Sequence, residues 1–318
     1  MKIRFWGTRG SIPVSLTAKD IRGKLVAALR GATEVDLQQD EAVAAYVDAL
    51  DFSIRGTYGG HSSCVEIVDE GDTHFILDMG SGARPLGLAM MSRYGPRTPQ
   101  TYHVFMSHLH WDHIMGFPFF VPAYIPGNRI VFHGCHQELE LAFRRQQDAP
   151  SFPVDFSVLG AQIEFEIMQP GQTVDVAGYS VVAKKQRHGG DSYGWRFERA
   201  GKAMVYSTDS EHRVEDLDEM NSFVDFFRGA DLVVFDAMYS LSDAISIKAD
   251  WGHSSNIVAV ELCQRAGVKR LCMFHHEPAY DDAKIENVLA DTRRFEKLTR
   301  EGQALEVIAA YDGLELDV

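Results

Sequence analysis

Residues 107–113 read SHLHWDH and follow the apolar run TYHVFM. Side chains alternate along an extended segment, so His108 and His110 point the same way and can reach one metal ion together. A turn beginning at the next residue would return Asp112 and His113 to the same pocket. Neutral imidazole and carboxylate are ligands of zinc, and iron and manganese also accept them. The stretch therefore predicts a metal centre at the end of a buried strand.

A second metal ion needs further ligands, and the later chain offers them at the ends of predicted strands. His188 follows the strand YSVVAKK, and Asp209 follows the apolar run of VYSTDSE, where its two oxygens could bridge two cations. The doublet His275 and His276 ends another apolar run. Each residue also has an ordinary interpretation, such as a loop histidine or a helix cap. The sequence leaves open which histidine of the doublet is the ligand.

Length and composition predict an ordinary globular protein. The chain has 318 residues, of which 45% are hydrophobic, enough to fill a substantial core. Its formal net charge is −14, from 31 Lys and Arg against 45 Asp and Glu, so the overall field repels polyanions and predicts no long nucleic-acid partner. The four cysteines form no CxxC pair, which predicts neither a disulfide framework nor a thiolate zinc site.

The N-terminal segment MKIRFWGTRGSIPV lacks a charged stretch followed by a long apolar one. No uninterrupted apolar run reaches the roughly 20 residues that span a bilayer. We therefore expect a soluble cytoplasmic protein without a membrane partner.

Short predicted strands recur through both halves of the chain, and each half closes with helices. This order favours an α/β protein in which two sheets pack together and helices cover them outside. No repeat, low-complexity segment or linker interrupts the pattern, so residues 1–318 are predicted to form a single domain.

A helical hairpin is predicted near the start, as an insertion at about residues 17–50. Residues 18–30 and 38–50 each place apolar side chains on one helical face, among them Ile21, Leu25, Ala28, Leu29, Val43, Val47 and Leu50. The hairpin could act as a lid over the pocket, form a dimer contact or serve as an outer packing element. The proline-broken segment GFPFFVPAYIPG could line the pocket, form a subunit contact or belong to the core.

Taken together, SHLHWDH, RHGGDSYGWRFE, YSTDSE, GHSS and FHHEPAYDD resemble, in order and spacing, the metallo-β-lactamase superfamily of hydrolases over nearly the whole chain. The segments FWGTRGS and YGGHSSCVEI make the layout similar to ribonuclease Z and to cyclic-nucleotide phosphodiesterases of that superfamily. The resemblance implies the metallo-β-lactamase fold, a four-layer αββα sandwich of two mixed β-sheets with outer helices. It also implies a metal-dependent hydrolase.

The resemblance further implies roles for individual residues. The first metal would be held by His108, His110 and His188. The second would be held by Asp112, His113 and His275, with Asp209 bridging the two. Asp78 of LDMGSG would support the ligands from behind, and His253 of WGHSS would act near the leaving group unless it only precedes a helix cap.

The expected chemistry uses two divalent cations, zinc in the first place, with manganese or iron as alternatives. Each lowers the pKa of bound water, so the pair would hold a bridging hydroxide as nucleophile. Asp112 or Asp209 would orient it, and His253 would donate a proton to the leaving oxygen. We expect a small phosphodiester or cyclic nucleotide as substrate. The alternatives are a lactone, ester or thioester hydrolase and a non-hydrolytic di-iron sensor. A homodimer is possible with any of these functions.

Overall fold

Two seven-stranded β-sheets form the centre of the molecule in this computed structural model, which describes residues 1–69, 71–213, 215–237, 239 and 252–318. The first sheet contains, in spatial order, β14 (Glu315–Asp317), β1 (Lys2–Gly7), β2 (Cys64–Val68), β3 (Thr73–Leu77), β4 (Thr101–Phe105), β5 (Arg129–Gly134) and β6 (Gln162–Ile167). The second contains β13 (Glu306–Ala309), β12 (Arg270–Phe274), β11 (Leu232–Asp236), β10 (Lys202–Ser207), β9 (Ser192–Arg199), β8 (Tyr179–Gln186) and β7 (Thr173–Val176).

Both sheets are mixed, as the resemblance implies. In the first sheet the strands from β14 to β3 pair antiparallel and those from β3 to β6 pair parallel. In the second, β7 to β10 pair antiparallel and β10 to β13 parallel. Because β8 is two antiparallel steps from β10, it runs in the same direction as β10, β11 and β12. The carboxyl ends of these four strands therefore meet at one edge, where ligands bind in open α/β sheets.

Helices cover the outer faces of both sheets. They are α1 (Ala18–Gly31), α2 (Asp40–Ala49), α3 (Phe52–Arg55), α4 (Ala83–Tyr94), α5 (Trp111–Ile114), α6 (Leu139–Gln146), α7 (Leu217–Phe227), α8 (Asn256–Arg265) and α9 (Asp282–Thr299), with 3-10 helices at Phe117–Phe119, Val121–Tyr124 and Phe156–Val158.

The strand β11 contributes side chains to two apolar clusters, one on each face of the second sheet. All five of its residues are buried. Leu232 and Val234 pack between the sheets, whereas Val233 and Phe235 face the helices of the second sheet, because successive side chains of a strand point to opposite sides. A third cluster joins the first sheet to α4 and α6. These three apolar clusters separate four layers, which confirms the αββα sandwich.

The predicted hairpin forms close to its expected bounds, but its apolar face is open to solvent. Ile21, Leu25 and Leu29 are 49%, 59% and 68% exposed. The polar side of α1 is the side that is anchored: Lys24 Nζ donates to Asp282 Oδ2 over 2.7 Å and also bonds the carbonyl of Ser53. That residues 1–318 form one domain, with this hairpin as an insertion, stays a prediction.

Some elements differ from the sequence-based expectation. The proline-broken segment contains two of the 3-10 helices. Phe117 and Phe120, which lies between the two helices, are buried, whereas Phe119 is exposed. The strands β7 and β14 were not expected, because each is short and takes its place through pairing with a neighbour. The four cysteines are all free, in agreement with the absence of a predicted disulfide framework.

Candidate metal centre

The loop after β4 builds the centre of the candidate site. His110 has an extended backbone, and α5 begins at the next residue, so Asp112 and His113 lie on the first turn of a short helix. His108, Asp112 and His113 are buried, whereas His110 is exposed. The turn expected from SHLHWDH is therefore present.

One cluster of three histidines brings together His108, His110 and His188. Their candidate ligand atoms all lie within 4.8 Å of one another. His188 Nε2 lies 3.1 Å from His110 Nδ1, and His188 Nδ1 donates to the carbonyl of Gly252 over 2.8 Å. This last bond fixes the ring so that the lone pair of Nε2 faces the cluster.

A second cluster brings together Asp112, His113 and His275, again within 4.8 Å. Nε2 of His113 lies 3.2 Å from Asp112 Oδ2 and 3.4 Å from Nε2 of His275. The neighbouring His276 points elsewhere, since its Nε2 donates to the carbonyl of Ala310 over 2.8 Å. The structure thus directs the first histidine of the doublet, and not the second, to this cluster.

Asp209 lies between the two clusters and turns one oxygen towards each. Its Oδ1 is 3.2 Å from His113 Nε2 and 3.3 Å from His275 Nε2. Its Oδ2 is 3.6 Å from His108 Nε2 and 3.7 Å from His188 Nε2. Asp209 thus faces the histidines of both clusters.

Asp78 supports the ligand loop from behind. Its Oδ2 accepts hydrogen bonds from His113 Nδ1 at 2.8 Å, the Ser107 hydroxyl at 2.7 Å and the Tyr206 hydroxyl at 2.8 Å. Its Oδ1 accepts the Ser107 amide at 2.8 Å. A carboxylate bonded to Nδ1 leaves Nε2 of His113 as the metal-facing nitrogen.

Three residues of the centre adopt backbone angles that L-residues rarely use. Asp78, Asp209 and His275 have φ values of 60°, 48° and 59°. Each directly follows a strand or comes two residues after one, and each turns its side chain into the site. Such backbone strain is typical of functional positions, where the surrounding structure holds it in place.

The donor set fits divalent cations. Burial and the neighbouring His113 lower the pKa of His108, which keeps its imidazole neutral. Among the residues that the structure describes, Nε2 of His108 is buried and has no hydrogen-bond partner. Burial disfavours the charged form of His113, but Asp209, Asp112 and Asp78 outweigh it and raise the pKa of His113 well above its usual value. A buried excess of carboxylate charge beside an orphaned imidazole nitrogen is what a bound cation would satisfy.

His253 and Asp236 form a pair beside this centre. His253 Nδ1 lies 2.7 Å from Asp236 Oδ2, which also accepts the Ser210 amide. Burial favours the neutral imidazole, but the charge of Asp236 outweighs it and raises the pKa of His253 to about 9. A ligand-type atom of His253 lies within 4.8 Å of those of His188 and Asp209. The histidine of GHSS is therefore part of the site.

Two contributors escaped the sequence analysis. Asp236 is the last residue of the apolar run DLVVFD, and its position at the carboxyl end of β11 was the available signal. Ser11, in the glycine-flanked turn after β1, donates its backbone amide to Asp112 Oδ2 over 2.9 Å. The turn glycines of FWGTRGS marked this loop, but nothing local placed it beside residues 101 positions later.

No helix of the described chain is both long enough and apolar enough to pass through a membrane.

Comparison with known proteins places the chain in a family. The model of the Beta-lactamase superfamily domain matches residues 78–276. The ribonuclease Z of Geobacillus kaustophilus (strain HTA426) is 23% identical over 280 residues, covering 73% of this chain and 87% of that protein. That relative acts on RNA by its name, which is partly at odds with the expectation of no long nucleic-acid partner.

Solved structures share the whole fold. Unliganded yeast PDE1 covers 100% of this chain and 99% of its own, with a TM-score of 0.65 at 12% identity. Zn(2+)-bound PqqB from Methylobacterium extorquens covers 100% of each chain, with a TM-score of 0.61 at 17% identity. At these identities the two structures show the fold alone.

Fold, clustered ligands and family match together define a metal-dependent hydrolase of the metallo-β-lactamase fold. The chain belongs to the β-lactamase superfamily.

Proposed function

We propose that this protein is a dinuclear metal-dependent phosphodiesterase that acts on a small phosphodiester or a cyclic nucleotide. The observation that carries this function is the placement of Asp209, whose Oδ1 faces His113 and His275 while its Oδ2 faces the histidines of the other cluster. A side chain placed in this way suits a site for two cations rather than one.

In this site one cation would be held by His108, His110 and His188, and the other by Asp112, His113 and His275, with Asp209 shared. Divalent cations, zinc in the first place and manganese or iron as alternatives, would act there as Lewis acids and lower the pKa of water. Asp78 holds the His113 ring in its orientation, and the Ser11 amide holds the carboxylate of Asp112. These contacts preorganise the ligands before any substrate arrives.

Asp112 and His253 would carry the catalytic roles of the protein itself. Asp112 presents a carboxylate able to orient an attacking water, in the position where Ser11 and His275 fix it. Asp236 holds His253 through Nδ1, so Nε2 is the nitrogen that would give a proton to the leaving oxygen. Proton donation of this kind matters most when the leaving group is an alkoxide, as it is in a phosphodiester.

The substrate is proposed to be small because of the charge of the protein. A net charge of −14 opposes the approach of a long polyanion. Because a relative is named ribonuclease Z, the substrate test must also include RNA. A thioester would use the same centre without needing the proton from His253, because its leaving group is a thiolate. A lactone or an ester releases an alkoxide, as a phosphodiester does, and is distinguished from it by the substrate panel. A non-hydrolytic di-iron sensor would need the ligands but not the His253–Asp236 pair.

The decisive experiment combines metal analysis with a substrate panel. Protein loaded with zinc or with manganese should contain two ions per chain and hydrolyse a cyclic nucleotide and bis(p-nitrophenyl) phosphate faster than a lactone, a thioester or a structured RNA. Preferential lactone or thioester hydrolysis would replace the phosphodiesterase with the alternative hydrolase. Protein purified with iron, visible absorbance and no turnover on any substrate would point to the sensor.

A further inference from the structure

The histidine cluster, formed by His108, His110 and His188, draws its members from both sheets. His108 and His110 follow β4 of the first sheet, whereas His188 lies in the β8–β9 loop (residues 187–191) of the second. Their candidate ligand atoms lie within 4.8 Å of one another. This geometry holds only while the loop keeps its position relative to the first sheet. Contacts that link the loop to the first sheet therefore control the geometry of the cluster.

The β8–β9 loop has few contacts of its own to keep it in place. It reads RHGGD, and its two glycines have no side chains with which to pack. An internal hydrogen bond runs from the Asp191 amide to the carbonyl of His188 over 3.2 Å. A Cβ added at Gly189 would meet nothing within 4 Å. The position of His188 therefore depends on contacts from outside the loop.

His136 links the tip of this loop to the first sheet. It lies between β5 and α6, and its Nε2 is 3.2 Å from the carbonyl oxygen of Gly190 and 3.1 Å from that of Asp191. Both partners are acceptors, so Nε2 carries the proton and donates to the two carbonyls together. Gly190 lies beside the cluster, since a Cβ there would be 3.7 Å from His110 Nε2. The donor of His136 thus holds the loop tip next to the ligands.

The ring of His136 also packs, which offers a competing explanation for its presence. It meets Tyr193 edge to face, with ring centroids 5.0 Å apart. Its other nitrogen, Nδ1, is buried and has no hydrogen-bond partner among the residues that the structure describes. A buried nitrogen without a partner costs free energy, so a ring kept only for packing would be better as phenylalanine. The bonds made by Nε2 explain why a histidine occupies this position.

Other contacts fix the two ends of the loop. The Tyr193 amide donates to the carbonyl of Ser107 over 2.9 Å, which holds the start of β9 beside the metal-binding segment. The Glu211 amide donates to the carbonyl of Arg187 over 2.9 Å, which holds the residue after β8. Because these bonds act at the ends, the bonds of His136 to the tip add a constraint that they do not supply.

We propose that His136 is a positioning residue of the metal centre. By donating from Nε2 to two carbonyls of the β8–β9 loop, it holds His188 at the distance from His108 and His110 that a shared cation requires. Its action is indirect, since its partners are main-chain oxygens of the loop. The role rests on the part of the proposed function that places a cation in the histidine cluster, and it does not depend on the substrate.

The experiment separates the donor of His136 from its ring in the full-length protein. His136→Phe keeps a ring beside Tyr193 but has no donor, whereas His136→Gln keeps an N–H donor and loses the ring. Gln137→Ala is the matched control, because Gln137 is exposed in the same segment. Metal-free protein is titrated with zinc in competition with a chelator of known affinity. A second titration uses cobalt(II), whose visible absorption reports the coordination of each ion.

His136→Phe should weaken the binding of one of the two zinc ions by about tenfold and leave the other unchanged, as loss of an outer contact to a ligand does. The cobalt absorption of that same ion should change. His136→Gln should restore most of the affinity, and Gln137→Ala should match the parent. In a His188→Ala background, which lacks the ligand, adding His136→Phe should not weaken the remaining ion further.

Unchanged zinc affinity in His136→Phe would overturn the positioning role. Weaker binding in His136→Gln than in His136→Phe would overturn it too, because packing of the ring would then be what matters. Equal weakening of both ions, together with a lower unfolding temperature of the metal-free variant, would make His136 a general contributor to stability instead.

The same titrations distinguish failure of this role from failure of the proposed function. A parent protein that binds two ions, with a His136→Phe variant that binds them equally well, keeps the dinuclear centre and loses only the role of His136. A parent protein in which His188→Ala does not alter binding of any ion has no cation in the histidine cluster, which removes the proposed dinuclear centre and the positioning role together.

Discussion

His253 lies with its Nδ1 2.7 Å from Oδ2 of Asp236, and the side chain of Asp236 is fully buried. A buried carboxylate bonded to one ring nitrogen fixes the orientation of the ring and leaves the other nitrogen available to a substrate. The pair connects the end of β11 to the segment before α8, so the proposed proton donor, which lies on a loop, is held by a residue of the second sheet.

Replacing His253 with Gln should lower kcat on a cyclic nucleotide by about 100-fold or more, because the leaving alkoxide loses its proton donor. Asp236→Asn should cause a smaller loss, since the ring remains but is no longer held by a charge. Metal content measured by mass spectrometry should stay the same in both. Loss of metal in parallel with activity would instead assign His253 to the ligands.

Asp209→Asn should reduce the metal content from two ions per chain towards one or none, since one shared carboxylate serves both clusters. Removing a ligand charge weakens both sites together, and activity should fall with occupancy. Inductively coupled plasma mass spectrometry after dialysis measures the change. Asp225→Asn is the control, because its side chain is 68% exposed and is not part of any candidate metal cluster among the described residues. Two ions retained with normal affinity in Asp209→Asn would contradict the bridging role.

Gly252→Ala should weaken metal binding at the histidine cluster by about 10- to 100-fold, as loss of an outer contact to a ligand does. A Cβ at this position would lie 2.5 Å from His188 Nδ1, and the φ of +83° already disfavours any side chain. Gly201→Ala separates the two effects, because its φ is +75° and nothing lies within 4 Å of the added Cβ. Competition with a chelator of known affinity gives the comparison. Equal metal affinity in the two variants would show that crowding of His188 does not matter.

The protein should lose stability as the pH falls below about 6.5. His103 and His133 pair across β4 and β5 at 2.9 Å, and burial lowers the pKa of His133 to about 3 and that of His103 to about 4, from 6.5. The unfolded chain therefore takes up protons between pH 6.5 and 4 that the folded chain does not. The free energy of unfolding should fall by about 1.4 kcal/mol per pH unit for each such histidine.

Urea denaturation at pH 7 and pH 5.5 measures this slope. In His133→Phe the free energy of unfolding should depend less steeply on pH, because unfolding then takes up about one proton fewer. The phenyl ring should still stack on Phe105, whose ring centroid lies 4.5 Å from that of His133 in the unaltered protein. If the free energy of unfolding has the same pH dependence in the variant and the parent, burial of the histidine pair does not lower the pKa as expected.

The open face of α1 predicts a homodimer. Helix α1 carries Lys and Arg at four positions, whereas α2 begins with Asp40 and Glu41. If α1 of one copy packs against α2 of another across a two-fold axis, opposite charges would pair. Leu25→Glu with Leu29→Glu should halve the mass measured by light scattering, because both side chains would then carry charge in the contact. Leu298→Glu, at a position 76% exposed on α9, is the control. A parent protein that is already a monomer at micromolar concentration would rule the contact out and leave the lid or packing role for the hairpin.

The local parts of this protein followed from its sequence. SHLHWDH determined an extended pair of histidines and a turn that returns Asp112 and His113, because side-chain alternation and helix geometry act over a few residues. Apolar runs determined most strands, and amphipathic spacing determined the hairpin. The order of the motifs indicated the family, and the resemblance to that family predicted the layered fold.

Only the tertiary structure decided which distant groups meet. His275 rather than His276 faces the second cluster because the left-handed φ of 59° at His275 turns it inward, while its neighbour finds the carbonyl of Ala310. Asp236 and Ser11 entered the site through strand order and loop placement, and the hairpin turned its polar rather than its apolar side to the body. Composition and spacing determine which side chains can bind a metal, but contacts between strand ends that are far apart in the chain depend on packing, which no local pattern encodes.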